Sequence, residues 1–158
     1  MEYMKNKIDK ILEKILIFIM SILVIDVLWQ VLSRYLLASP SSFTDELAGF
    51  LLIWVGVLGA AYVTGKKEHL AIDLLIQKSS PERQVKLIFL VNLFISLFAL
   101  FVMIVGGAWL MITRFQLNVS SAALHLPLGY VYSVLPISGL LMLYYSLNFM
   151  FTKKEEEK

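Results

Sequence analysis

With 158 residues, 59% of them apolar and only 16% charged, and a mean hydropathy of +0.77, the chain is too apolar for an ordinary soluble domain and has room for one membrane domain. It contains no cysteine, which excludes disulfides, thiolate metal sites and cysteine nucleophiles. The net charge of +2 is small and the basic residues flank apolar runs without forming a patch, so nucleic-acid binding is not expected.

Four apolar stretches divide the chain into five polar segments. An all-α integral membrane fold with four transmembrane helices is predicted, at about 8–37, 43–64, 86–112 and 128–151. Each has roughly 20 apolar residues, enough to cross about 30 Å of hydrocarbon. These helices form a single transmembrane domain over 1–152, and 153–158 is a charged tail. Of the 14 Lys and Arg residues, 12 fall in the first, third and fifth polar segments, and only Arg34 and Arg114 fall in the other two. The positive-inside rule then places both termini in the cytoplasm. The basic, apolar N-terminus lacks a small-residue cleavage site and reads as a retained first helix.

The first helix carries a polar arc. Asp26, Gln30, Ser33 and Arg34 lie within roughly 100° of one another at 100° per residue. Asp26 lies about 18 Å beyond Lys14 along the axis and Arg34 about 30 Å beyond it. Arg34 therefore reaches the outer interface, whereas Asp26 sits near the midplane, where an unpaired carboxylate costs on the order of 3 kcal/mol or more. Asp26 reads either as a proton or cation site or as a structural residue bonded to Gln30 or to another helix. A lone acid in a helix without internal Gly or Pro favours the structural role.

The connection after this helix is short and uncharged and contains Pro40, as in a helical hairpin. Ser42 is placed to cap the second helix, with Asp45 and Glu46 in its first turn, where the helix dipole favours acids. Along that helix Gly49, Gly56 and Ala60 share a face with Gly59 beside it, a surface that lets backbones approach closely.

The next connection is basic. Over 69–78, His69, Asp73 and Gln77 form one polar strip among apolar residues, which predicts a short amphipathic helix at the cytoplasmic surface. His69 and Asp73 read as an interfacial hydrogen-bond pair, since two ligands are too few for a metal. Ser79, Ser80, Pro81 and Glu82 resemble a cap and a first helical turn.

The third transmembrane helix aligns Asn92, Ser96, Ala99, Met103 and Gly106, with Gly107 adjacent, as a second packing face. The connection over 113–127 is predicted to be periplasmic, with His125 alone in it. Pro136 predicts a kink in the fourth helix. Trp29, Trp54 and Trp109 fall at depths that suggest packing. Without a nucleophile–base pair, glycine-rich phosphate loop or metal cluster, neither enzyme function nor a cofactor is expected.

Several segments together carry a resemblance. They are Trp29-Gln30-Val31 with Arg34-Tyr35, then Phe43-Thr44-Asp45-Glu46-Leu47-Ala48, Trp54-Val55-Gly56-Val57-Leu58-Gly59-Ala60-Ala61-Tyr62, Glu68-His69-Leu70-Ala71-Ile72-Asp73-Leu74 and Ala123-Leu124-His125-Leu126-Pro127. In this order and spacing the chain resembles the small membrane subunit of tripartite ATP-independent periplasmic (TRAP) transporters. The stretch 43–74 is the most specific part.

The resemblance implies two protein partners: a large multi-span permease subunit that moves as an elevator, and a periplasmic substrate-binding protein. It also implies uptake of carboxylate-bearing solutes such as sialic acid or C4-dicarboxylates, driven by sodium. The small subunit would then act as a scaffold in the inner membrane. Asp26, Gln30, Arg34, Gly56, Gly59, Ala60, Asn92 and Ser96 are expected as buried polar or packing positions, and Asp45, Glu46 and His125 as periplasmic contacts. Two alternatives remain open: a four-helix drug/proton antiporter using Asp26, or a generic assembly subunit of another membrane complex. Loop charge divided 12 to 2 speaks against a dual-orientation antiporter.

Overall fold

The computed structural model describes residues 2–36, 41–66 and 81–156. Helix α1 covers Glu2–Tyr35 and α2 covers Ser42–Lys66. The third span is composite: α3, Pro81–Phe98, passes into a π-helical segment, Ala99–Gly106, and continues as α4, Gly107–Gln116. The fourth is interrupted, with α5 at Leu128–Tyr132 and α6 at Val134–Glu156. Among the described residues, four helical stretches are long and apolar enough to cross a membrane: Tyr3–Tyr35, Ser42–Lys66, Arg83–Gln116 and Leu128–Met150. Helices suit such runs because each backbone N–H and C=O finds its partner within the segment, where lipid offers none.

The first helix begins earlier than its apolar run suggests, and the third is longer at both ends than expected. At about 1.5 Å per residue the 34 residues of α1 make about 51 Å, so its polar first turns extend beyond the hydrocarbon. The predicted amphipathic helix at 69–78, with His69 and Asp73, lies outside the described residues.

The start of α2 is capped one residue earlier than expected. The Thr44 N–H donates to Ser41 Oγ at 3.4 Å, and Thr44 Oγ1 donates to the Ser41 carbonyl at 3.1 Å. Ser41, not Ser42, therefore meets the orphan donors of the first turn.

Helix α6 is the hub of the bundle. It packs against α2 on one side and against α3 and the π segment on the other, while α1 lies along α2. Leu12, Ile19, Leu58, Val134 and Tyr145 form one buried cluster, and Ala61, Ala99, Met103 and Met142 form another. Pro136 does break the fourth span, because it brings no N–H for the turn before it. The interruption falls between α5 and α6 at Ser133, which itself keeps helical angles, φ −59° and ψ −24°. At that break the Trp54 indole N–H donates to the Val131 carbonyl at 3.1 Å.

The packing at this kink is close. A Cβ on Gly107 would stand 2.7 Å from Leu135 Cβ and 3.2 Å from Pro136 Cδ. A Cβ on Gly139 would stand 2.7 Å from Met103 Cβ. Glycine at both positions lets the third span, at the π segment and the start of α4, lie close against α6.

Candidate functional site

The end of the bundle where α1 meets α2 is held by acids at the start of α2. After α4 the chain reverses through a Schellman turn. Asn118 takes φ 49°, its N–H donates to the Phe115 carbonyl at 3.1 Å, and the Val119 N–H donates to the Arg114 carbonyl at 3.2 Å. The loop then closes on itself. The Ser121 N–H donates to the Leu126 carbonyl and the Leu128 N–H to the Val119 carbonyl, each at 2.9 Å. His125 takes the left-handed conformation, φ 52°, and is exposed.

Three successive N–H groups of this loop converge on one carboxylate. Ala122 donates to Glu46 Oε1 at 2.7 Å, and Ala123 and Leu124 donate to Oε2 at 2.9 and 2.8 Å. Such charge-assisted bonds are stronger than neutral ones, and here they fix the loop on α2. Glu46 is thus committed within the chain. Its neighbour Asp45 accepts from the Gln30 amide, which ties α1 to the first turn of α2. Of the three positions expected at the periplasmic face, His125 and Asp45 are exposed and Glu46 is half-buried.

Within the span, Asp26 and Ser33 are buried, Gln30 is half-buried and Arg34 is exposed in the last turn of α1. The polar arc therefore turns its deep residues inward and leaves its cation at the end. Asp26 Oδ2 lies buried without a hydrogen-bond partner among the described residues, so the expected bond to Gln30 is not made through that oxygen. The Ser33 hydroxyl donates to the Gln30 carbonyl at 2.9 Å.

On the third span Asn92 does bond across helices. The Ser146 hydroxyl of α6 reaches the Asn92 carbonyl at 2.7 Å and its Oδ1 at 3.1 Å, while the Asn92 amide donates to the Ile88 carbonyl at 2.8 Å. Ser96 is buried, and its Oγ has no partner among the described residues.

One polar pair gave no sequence signal. The Tyr145 hydroxyl, fully buried in α6, donates to Asp9 Oδ1 at 2.5 Å. Asp9 is 5% exposed although it belongs to the charged opening of α1. The Tyr145 ring also lies where a Cβ on Gly65 would stand, 2.8 Å from its nearest carbon. Lys5 sits 4.8 Å from the centre of the Phe149 ring, so a second contact joins the same ends of α1 and α6.

The two small-residue faces differ. Gly107 belongs to the third-span contact with α6, whereas among the described residues Gly106 faces no other helix and the α2 face is open. A Cβ on Gly49, Gly56 or Gly59 would meet nothing within 4 Å, and Ala60 is exposed. The expected packing on this face is therefore not supplied by the described residues. Trp29 and Trp109 also turn outward, at 54% and 74% exposed, so of the three tryptophans only Trp54 packs within the bundle.

Comparison with known proteins agrees with this architecture. Residues 23–154 match the family described as tripartite ATP-independent periplasmic transporters, DctQ component. The chain is 31% identical over 144 residues to a protein of Haemophilus influenzae (strain ATCC 51907 / DSM 11121 / KW20 / Rd) named as a TRAP transporter small permease, covering 90% of this chain and 86% of that one. It is also 44% identical over 46 residues to the sialic acid TRAP transporter permease protein SiaT of Haemophilus influenzae (strain 86-028NP), which is 29% of this chain and 8% of that protein. Four membrane-crossing helices and a family match over most of the length make the chain a multi-pass inner-membrane transporter component and not an enzyme. The chain belongs to the DctQ family of small TRAP transporter permease subunits.

Proposed function

We propose that this chain is the fixed scaffold of a sodium-driven, binding-protein-dependent secondary transporter for carboxylate-bearing solutes, such as sialic acid or C4-dicarboxylates. In this reading its 1–152 portion is one transmembrane domain with both termini, including the 153–158 tail, in the cytoplasm. The division of basic residues, 12 against 2 across the alternating polar segments, supports that orientation. The short match to the sialic acid permease is consistent with a carboxylate solute.

The observation that carries the scaffold role is the open α2 face of Gly49, Gly56 and Gly59. Association of helices in lipid depends on close van der Waals approach, and small residues permit it. A face of this kind, uncovered at its glycines among the described residues, suits the flank of a large permease subunit. An elevator needs a stator broad enough to stay still while its cargo domain moves, and a packed four-span body adds that breadth.

The loop held by Glu46 is the second element of the reading. With its backbone fixed and His125 exposed beyond it, the loop presents a preformed surface to a periplasmic binding protein.

Proteoliposomes test the role. The chain reconstituted alone passes no labelled solute and no sodium or protons. Reconstituted with the large permease subunit and the binding protein, it supports uptake that requires a sodium gradient. Flux of solute or ions through the chain alone would refute the scaffold role and favour an antiporter working through Asp26.

A further inference from the structure

The outward side of the third span carries a groove that none of the roles above uses. It has a volume of about 540 Å³, within the range of small-molecule sites. One wall follows the π segment and α4 from Val102 through Gly106 and Trp109, and the other is Leu135 at the start of α6. Its polar groups are Thr113 and Arg114, both at one end. From Val102 to Arg114 the helix rises at most about 18 Å, close to the depth of a single leaflet, about 15 Å. Arg114 Nε is buried without a hydrogen-bond partner among the described residues. Trp109, 74% exposed, stands beside the groove on the same helix.

We propose that this groove holds one acyl chain of a phospholipid whose phosphate is bound by the Arg114 guanidinium. The depth fits the occupant. A slot one leaflet deep suits a single acyl chain, whereas a partner helix would need a face running the whole span. The charge fits as well, because a lone guanidinium at the leaflet edge, with an N–H still to be satisfied, is matched by a phosphate diester. The Arg114 stem can lie along the apolar wall with its charged head at the interface. Thr113 cannot serve the phosphate in its present bond, since its hydroxyl donates to the Trp109 carbonyl at 2.8 Å.

Native mass spectrometry of the full chain, delipidated in mild detergent and then supplied with phosphatidylglycerol, tests this. Wild type retains one phospholipid. Arg114→Gln retains it at least tenfold less often, and Arg114→Lys, which keeps the charge, still holds it. Gly106→Leu fills the slot from within and also loses it. A Cβ there meets only the Phe101 carbonyl oxygen, at 3.5 Å, so this variant leaves the fold undisturbed by circular dichroism. Diacylglycerol with the same chains and inorganic phosphate both fail to bind. The proposal is overturned if wild type retains no phospholipid, if Arg114→Gln and Gly106→Leu retain as much as wild type, or if diacylglycerol or inorganic phosphate binds equally well.

Discussion

Glycines on the two sides of the bundle have opposite surroundings. Gly107 and Gly139 sit where an added Cβ would come within 2.7 Å of a neighbouring side chain, at the seam between the third span and α6. Gly49, Gly56 and Gly59 on α2 would meet nothing within 4 Å. The same residue type serves both surfaces, but among the described residues only one surface is in contact. The seam at α6 is a finished contact, with its polar complement in the Ser146–Asn92 bond. The α2 face has the composition of a contact and no neighbour at its glycines among the described residues, which is the state expected of a subunit surface before assembly.

Substitutions can break or sharpen that contrast. The largest loss of stability is expected for Gly139→Leu. Its side chain has no room beside Met103, and the Ala99 carbonyl oxygen, 3.2 Å from the new Cβ, is backbone that cannot rotate away. Overpacking costs about 1–3 kcal/mol and more where backbone blocks relaxation, as here, and thermal unfolding in detergent should show a lowered midpoint or no folded protein. Tyr145→Phe comes next. It leaves buried Asp9 without its donor, at about 1–3 kcal/mol, so the same assay should show a smaller drop. Asp9→Asn, which still offers an oxygen to the Tyr145 hydroxyl, should cost less than Tyr145→Phe. Smaller again is Glu46→Gln, which keeps the shape of the side chain and removes its charge. Amides of Ala122, Ala123 and Leu124 should then exchange with deuterium about tenfold faster, while those of α6 keep their rates. Unchanged exchange in the loop would mean that the carboxylate does not shape it.

The sequence revealed the features that depend on period and on single strong residues. Four apolar runs gave the four spans, Pro136 gave the break at Ser133, and Asn92 gave an inter-helix bond. The Glu46 clamp stayed hidden because its donors are backbone N–H groups, which any residue but proline at 122–124 would supply. The Asp9–Tyr145 pair stayed hidden because 136 residues separate its members and Asp9 reads as one charge among several in a solvated opening turn. The outward turn of Trp29 and Trp109 was missed for another reason: depth along a helix says nothing about which side of it a ring occupies. The α2 face was recognised as a packing surface, but spacing on one helix does not say what covers it.

The central claim is that the α2 face is kept for another protein, and Gly56→Leu tests it most directly. A Cβ at that position meets nothing within 4 Å, so the variant chain should unfold at the wild-type temperature. When it is co-expressed with the large permease subunit, the yield of the purified complex should fall sharply. Full recovery of the complex together with unchanged chain stability would contradict the account.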